Sequence, residues 1–181
     1  MRRYDAFNGV GVRLGRISGD GLDRIDRKIL NLYQHDTRRI AESIGAEVGL
    51  SAAAVQRRLK RLRADGVIAA EIAVLDKAVI GASIVTCIVN LSMAATPAQG
   101  VHLDRFRRQM IDQPMVQQCY HVTGTSDFIL IVIAESMEAY GAFARRWFES
   151  NGHVARYDTH VALERVKVGL SLPVDADAAH A

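Results

Sequence analysis

Five cationic side chains fall within seven residues, Arg57, Arg58, Lys60, Arg61 and Arg63, and no acid interrupts them between Ser51 and Ala64. A guanidinium fork matches the O6 and N7 edge of guanine and the oxygens of a phosphate. A row of such groups on one helix, a rod that a major groove admits, is chemistry aimed at a nucleic-acid duplex. Ser51, Ala52, Ala53 and Ala54 form a slim tip for close approach, with Gln56 and Arg57 behind it. Gln56 and Arg57 are therefore assigned to base edges. Arg58, Lys60, Arg61 and Arg63 are assigned to phosphates or to support, and Ser51 and Ala53 to the approach. The plain alternative is the wet face of an ordinary helix, and the unbroken sign of the charge argues against it.

A second constellation is Thr123-Gly124-Thr125-Ser126-Asp127. Gly124 lets backbone amides approach a carboxylate, and Asp127 offers an acceptor for an ammonium group. Together they are suited to a zwitterionic amino acid. The same residues are also what a hairpin turn needs for its own geometry, and from residue types alone the plain turn is the preferred reading. Cys119 beside Tyr120 and His121 has the elements of a thiol nucleophile, but a small apolar side chain on a strand more often packs. The six histidines show no metal-ligand spacing, and no phosphate loop, nucleophile elbow or spaced acid pair occurs. Neither a metal nor a cofactor is expected, and an enzyme is the weaker reading.

These groups need elements to hold them. Asp23 is placed to cap the amide of Asp26, opening a helix that runs to about Gln34 with Ile25, Ile29 and Leu32 on one face. A second helix, about Arg38 to Glu47, turns Ile40, Ala41, Ile44 and Val48 inward, although Gly45 costs it about 1 kcal/mol relative to alanine. Gly49 suits a left-handed helix end and Ser51 the next helix start, so two helices meet at a steep angle in a helix-turn-helix. The third helix spans Ala52 to Asp65 with Val55, Leu59 and Leu62 inward, and Gly66 stops it. A strand is expected over Val67–Leu75, and a linker ends near Gly81.

Beyond Gly81 the periodicity changes. Ile84–Leu91 reads as a buried strand, Val101–Ile111 as a helix, 115–134 as a hairpin with its turn at 124–127, Met137–Glu149 as a helix carrying Tyr140, Ala144 and Trp147 in line, and Val154–Val168 as a long last strand. The order β-α-β-β-α-β predicts an α+β, ferredoxin-like domain with both helices on one sheet face. The expected divisions are an arm over 1–20, a helix-turn-helix over 21–68, a strand and linker over 69–81, the βαββαβ domain over 82–174 and a frayed tail over 175–181.

Composition supports this division. The 181 residues are 49% hydrophobic and 24% charged, ordinary for a globular chain. The net charge of +3 divides into +2 over residues 1–20, +3 over 21–77 and −2 over 78–181, a basic module followed by a neutral-to-acidic one. No apolar run approaches the roughly 18 residues of a membrane span, so no membrane partner is expected. Two cysteines and no export signal at the start suggest a reduced, cytoplasmic setting.

Several segments, in order and in register over about 22–174, resemble the Lrp/AsnC family of transcription regulators. They are Leu22-Asp-x-x-Asp-x-x-Ile-Leu30, Val48-Gly-Leu-Ser51, Arg57-Arg-Leu-x-x-Leu62, Gly66-Val-Ile68 and Leu75-Asp76, then Cys119-Tyr-x-Val-Thr-Gly124, Asp127-Phe-x-Leu130 and Val166-Lys167. The resemblance implies a winged helix-turn-helix joined to a βαββαβ effector domain of the RAM type, binding double-stranded DNA. It implies homodimers formed through that domain's sheets, four of which often close into an octamer, and an amino-acid effector near the 124–127 turn. Thr123, Gly124, Thr125, Ser126 and Asp127 thereby become expected effector contacts. Thr125 stands where members commonly carry an acid, and Lys77 where proline commonly follows Leu-Asp. The implied function is regulation of amino-acid metabolism or transport genes. An effector-independent DNA organiser of the same fold is the alternative.

Overall fold

The computed structural model describes residues 21–76, 79 and 83–174. The arm expected over 1–20, the tail over 175–181 and part of the linker near Gly81 lie outside the described residues. Contacts divide the chain into two units, one formed by residues up to Ala73 with the segment from Lys167, the other by Val74–Val166.

Among the described residues of the N-terminal unit there are three α-helices: α1 Arg24–Tyr33, α2 Ala41–Val48 and α3 Ala52–Ala64. The start of α1 is closed by a capping box. Asp23 Oδ1 accepts from the Asp26 amide at 2.7 Å, and Asp26 Oδ2 accepts in return from the Asp23 amide at 3.3 Å. The expected cap is present. Ile29, Tyr33, Ile44, Val55 and Leu59 form the buried cluster, with Ile25, Leu32, Val48, Leu50 and Ile68 packed at its edge. The second helix starts later than the sequence suggests. Ile40 is its extended N-cap rather than a helical core residue, and at 65% exposure it faces solvent.

The turn between α2 and α3 takes the expected form. Gly49 adopts φ +74°, and Ser51 Oγ caps α3 by accepting from the Ala54 amide at 3.3 Å. Gly45 has a reason the sequence did not supply. The amide of Leu50 donates to its carbonyl at 2.9 Å, and a β-carbon at this position would stand 2.4 Å from the Leu50 carbonyl oxygen. Gly66, at φ +73°, ends α3 as expected.

The strand expected over Val67–Leu75 does not form; residues 69–76 have no regular secondary structure. A strand needs a neighbour to complete its ladder, and no strand among the described residues pairs with this segment. Ile72, Val74 and Leu75 stay exposed.

The second unit is the expected α+β sandwich. Its elements are β1 Val85–Met93, α4 Gln99–Ile111, β2 Val116–His121, β3 Phe128–Ala134, α5 Met137–Ala144, a π turn Arg145–Glu149, and β4 Val154–Val161. The antiparallel sheet has the order β2-β3-β1-β4. Alternate residues of the central strands, Cys87, Val89, Leu91 and Met93 with Phe128, Leu130, Val132 and Ala134, point to one face. There they pack with Phe106, Met110, Tyr140, Phe143 and Phe148 from the helical layer. Both helices therefore cover one face, as the sequence predicts. The last strand ends at Val161 instead of reaching Val168; its ladder to β1 runs out where Cys87 pairs Val161. The residues after it fasten within the N-terminal unit: Gln34 accepts from the Leu172 amide and donates to its carbonyl, both at 2.9 Å, and the Asn31 side chain donates to the Val174 carbonyl.

Candidate DNA-reading helix and effector turn

The cationic row on α3 resolves into two sets. Asp26, fully buried on α1, holds the first set. Arg58 Nη1 donates to Asp26 Oδ1 at 2.7 Å and to Asp23 Oδ2 at 2.6 Å, and Arg61 donates to Asp26 Oδ2. Arg63 is engaged as well. It donates to Glu71 at 3.0 Å and to the Tyr33 hydroxyl at 2.7 Å, with its guanidinium 5.4 Å from the Tyr33 ring centroid. These bonds set the charges nearby. Burial resists ionisation of Asp23, yet the Asp26 amide and Arg58 hold its carboxyl below the ordinary value of 3.8. The Tyr33 hydroxyl, donating at 2.7 Å, lowers Glu71 below 4.5 against partial burial, with Arg63 assisting. Tyr33 itself is pushed up by burial and by Glu71.

Gln56, Arg57 and Lys60 form the second set. They are exposed on α3, and Arg57 and Lys60 have no ion-pair partner among the described residues. Ser51 and Ala53 are exposed at the same end of the helix, the Ser51 oxygen serving as the cap. The structure thus separates groups that brace the helix from groups that face outward. Counting charges along the sequence could not make that division, because the acids bracing Arg58 and Arg61 lie more than thirty residues away at the start of α1, and Glu71, which braces Arg63, lies beyond the end of α3.

The turn between β2 and β3 is stapled to the end of β1. The Asp127 amide donates to Leu91 O at 2.9 Å, the Met93 amide donates to Asp127 Oδ2 at 2.7 Å, and Ser92 Oγ donates to Thr125 O at 3.1 Å. Gly124 has φ +117°, a conformation side chains strongly disfavour, while the space beside it is open. Backbone conformation, rather than close approach, calls for glycine there.

Thr123, Thr125 and Ser126 line an open basin of about 950 Å³ on the sheet's helix-free face, together with Asn90, Ser92, Arg156, Asp158 and His160. Gly124 and Asp127 are not in its wall, so the residues expected to act together divide into a lining group and a stapling group. Arg156 and Asp158, 2.9 Å apart, supply the basin with both signs of charge. Residue types alone do not mark this pair. The signal was the period-two alternation of Arg156, Asp158 and His160 with Tyr157, Thr159 and Val161 along β4, which sends the polar set to the open face. Cys119 lies on the edge strand, where desolvation of the thiol pushes it up to about 11 against the opposing pull of Arg107. A thiol so held is a poor nucleophile at neutral pH. No cluster of three metal-ligating side chains occurs among the described residues, and no helix among them is long and apolar enough to cross a membrane.

Comparison with known proteins bears on both units. Residues 22–63 match the AsnC-type helix-turn-helix domain and residues 86–172 the Lrp/AsnC ligand binding domain. A Sinorhizobium fredii HTH-type transcriptional regulator, y4tD, is 41% identical over 85% of this chain and 89% of its own. The Bkd operon transcriptional regulator of Pseudomonas aeruginosa is 31% identical over 84% and 98%. Among solved structures, an AsnC family transcriptional regulator from Agrobacterium tumefaciens superposes with a TM-score of 0.72 at 29% identity, covering 84% of this chain and 97% of that one. A Neisseria meningitidis regulator solved in complex with L-Met shares the fold with a TM-score of 0.72 at 24% identity, covering 85% and 97%.

Proposed function

Because this chain belongs to the Lrp/AsnC family of DNA-binding transcription regulators, we propose a specific division of labour for it: α3 reads an operator, and the basin beside the β2–β3 turn senses an amino acid. Gln56 and Arg57 contact base edges, Lys60 meets a phosphate, and Ser51 and Ala53 lie against the groove wall. Arg58, Arg61 and Arg63 hold the reading helix on α1 and on the segment after α3. The observation that carries this assignment is the separation on α3 of paired from unpaired cations.

For the effector, Arg156 offers a partner for a carboxylate and Asp158 one for an ammonium, with Thr123, Thr125 and Ser126 at the rim. The L-Met complex of the Neisseria protein supports an amino acid as the ligand class. Asp127 and Gly124 shape the turn instead of touching the ligand. Beside the basin, the helix-free face also presents Ile88 (37% exposed), Ile131 and Ile133, an apolar stripe suited to a second copy of this sheet. A homodimer built this way, and larger assemblies of it, would present paired reading helices to half-sites about one helical turn, or a multiple, apart. The protein acts in the cytoplasm on genes of amino-acid metabolism or transport. Effector control requires the amino acid to bind one arrangement of the assembly better than another.

The deciding experiment is recovery of genomic fragments on the purified protein, with and without an amino-acid mixture. Enrichment of discrete sites, changed by the mixture, is the expected result. Uniform recovery of all fragments under both conditions would overturn specific reading and sensing together. Enrichment indifferent to the mixture would support the organiser alternative.

A further inference from the structure

A second cleft, of about 260 Å³, opens between α4 and the segment that leads from the π turn into β4. Four basic side chains line it: His102 and Arg105 from α4, Arg146 from the π turn, and His153 just before β4. The imidazoles of His102 and His153 are stacked, with centroids 3.5 Å apart and planes 18° apart. Arg146 sits 5.2 Å from the centroid of Trp147, which also lines the cleft.

The walls are fixed by backbone bonds. The His153 amide donates to Asn151 Oδ1 at 3.1 Å, and the His153 carbonyl accepts from the Ala94 amide at 2.7 Å. Among the described residues, no carboxylate lines the cleft. The acid within α4, Asp104, pairs with Arg107, and the acid of the π turn, Glu149, accepts from the Tyr157 hydroxyl. Arg105 and Arg146 have no ion-pair partner among the described residues.

We propose that this cleft is a second ligand site, distinct from the amino-acid basin, which takes a small phosphate dianion, either inorganic phosphate or a phosphomonoester. Two guanidiniums supply fixed positive charge and two imidazoles supply N–H donors to one concavity, and a dianion with several acceptor oxygens is their complement. A zwitterionic amino acid fits poorly, because its ammonium would find no carboxylate here. The two sites share no lining residue. They meet at the end of β1, where Ser92 faces the basin and the next residue, Met93, lines the cleft.

Trp147 is the single tryptophan of the chain, so its fluorescence reports directly on the site. Inorganic phosphate, and separately glycerol 3-phosphate, would be titrated into the full chain at constant ionic strength, with potassium chloride as the matched control. A saturable change with phosphate and none with chloride is expected. Tighter saturation by glycerol 3-phosphate would identify the ester as the ligand, and equal or weaker saturation the free ion. Calorimetry gives a second readout, needed because Arg146→Gln alters the surroundings of the indole itself. By calorimetry, Arg105→Gln and Arg146→Gln should each weaken binding about tenfold, and Arg105→Lys should retain part of it. A response that chloride reproduces, or an affinity unchanged in both glutamine variants, would overturn the site.

Discussion

Gly45 and Leu50 meet backbone to backbone at the helix-turn-helix corner: the Leu50 amide bonds the glycine carbonyl at 2.9 Å, and the Leu50 carbonyl occupies the place a β-carbon would need. The contact brings the end of α2 against the start of the turn that launches α3. Alanine at 45 would gain about 1 kcal/mol of helix propensity and lose more by forcing the turn open. Gly45→Ala is expected to destabilise the chain by about 1–3 kcal/mol in denaturant titration. A variant as stable as the parent would show that the corner yields freely.

Asp26 should be the most sensitive polar position of the N-terminal unit. It is fully buried and joined to both Arg58 and Arg61. Asp26→Asn keeps the shape but removes the counter-charge that holds Arg61 and one of the two that hold Arg58, at a cost of about 3 kcal/mol. A thermal melt should show a clear loss, and a double-mutant cycle with Arg58→Met should recover part of it. Additive losses in that cycle would mean the pair is not coupled.

Arg57→Ala should behave oppositely, changing stability by no more than about 0.5 kcal/mol. On the specific site it should cost about 1–3 kcal/mol and relax base preference at one position. An unaltered sequence preference in a binding selection would remove Arg57 from base contact.

Lys60→Ala should weaken binding to every duplex alike and flatten the salt dependence by roughly one unit. Identical slopes for variant and parent would take Lys60 off the phosphates.

Acid should loosen the N-terminal unit through Asp23 and Glu71. Both carboxyls are held below their ordinary values of 3.8 and 4.5 when folded. The unfolded chain therefore takes up their protons first as pH falls, so their contribution is complete above about pH 5 and is lost on acidification through the folded values. Asp23 is half exposed, which limits its share to less than about 1 kcal/mol. Denaturant midpoints at pH 7 and pH 3.5 should differ less for a Glu71→Gln, Asp23→Asn variant than for the parent.

The three N-terminal helices were legible because capping, left-handed ends and helical spacing are local signals, and the Asp23 cap, Gly49 and Ser51 all appear where those signals put them. The βαββαβ order was legible for a similar reason: strand period and turn chemistry alternate cleanly after Gly81. What the sequence hid was partnership. Val67–Leu75 and the stretch after Val161 have strand-like composition, but composition cannot supply a neighbouring strand, and among the described residues none pairs with them. The cationic row was visible as charge, whereas Asp26's hold on Arg58 and Arg61 depends on how α1 crosses α3. Arg156 and Asp158 were hidden differently, as alternate residues on a strand read only for its apolar content.

The π turn at Arg145–Glu149 has a consequence for how this domain tolerates length changes. Ordinary helical spacing would align Trp147 with Tyr140 and Ala144, yet Phe148 is the residue that enters the core, leaving Trp147 half-buried. The wider turn acts as a phase correction of about one residue, rotating everything after it. Excising one residue here would return the segment to α-helical pitch, drive the indole inward and dismantle the wall of the second cleft, whereas a one-residue change in the loop around Asn151 would leave that phase untouched.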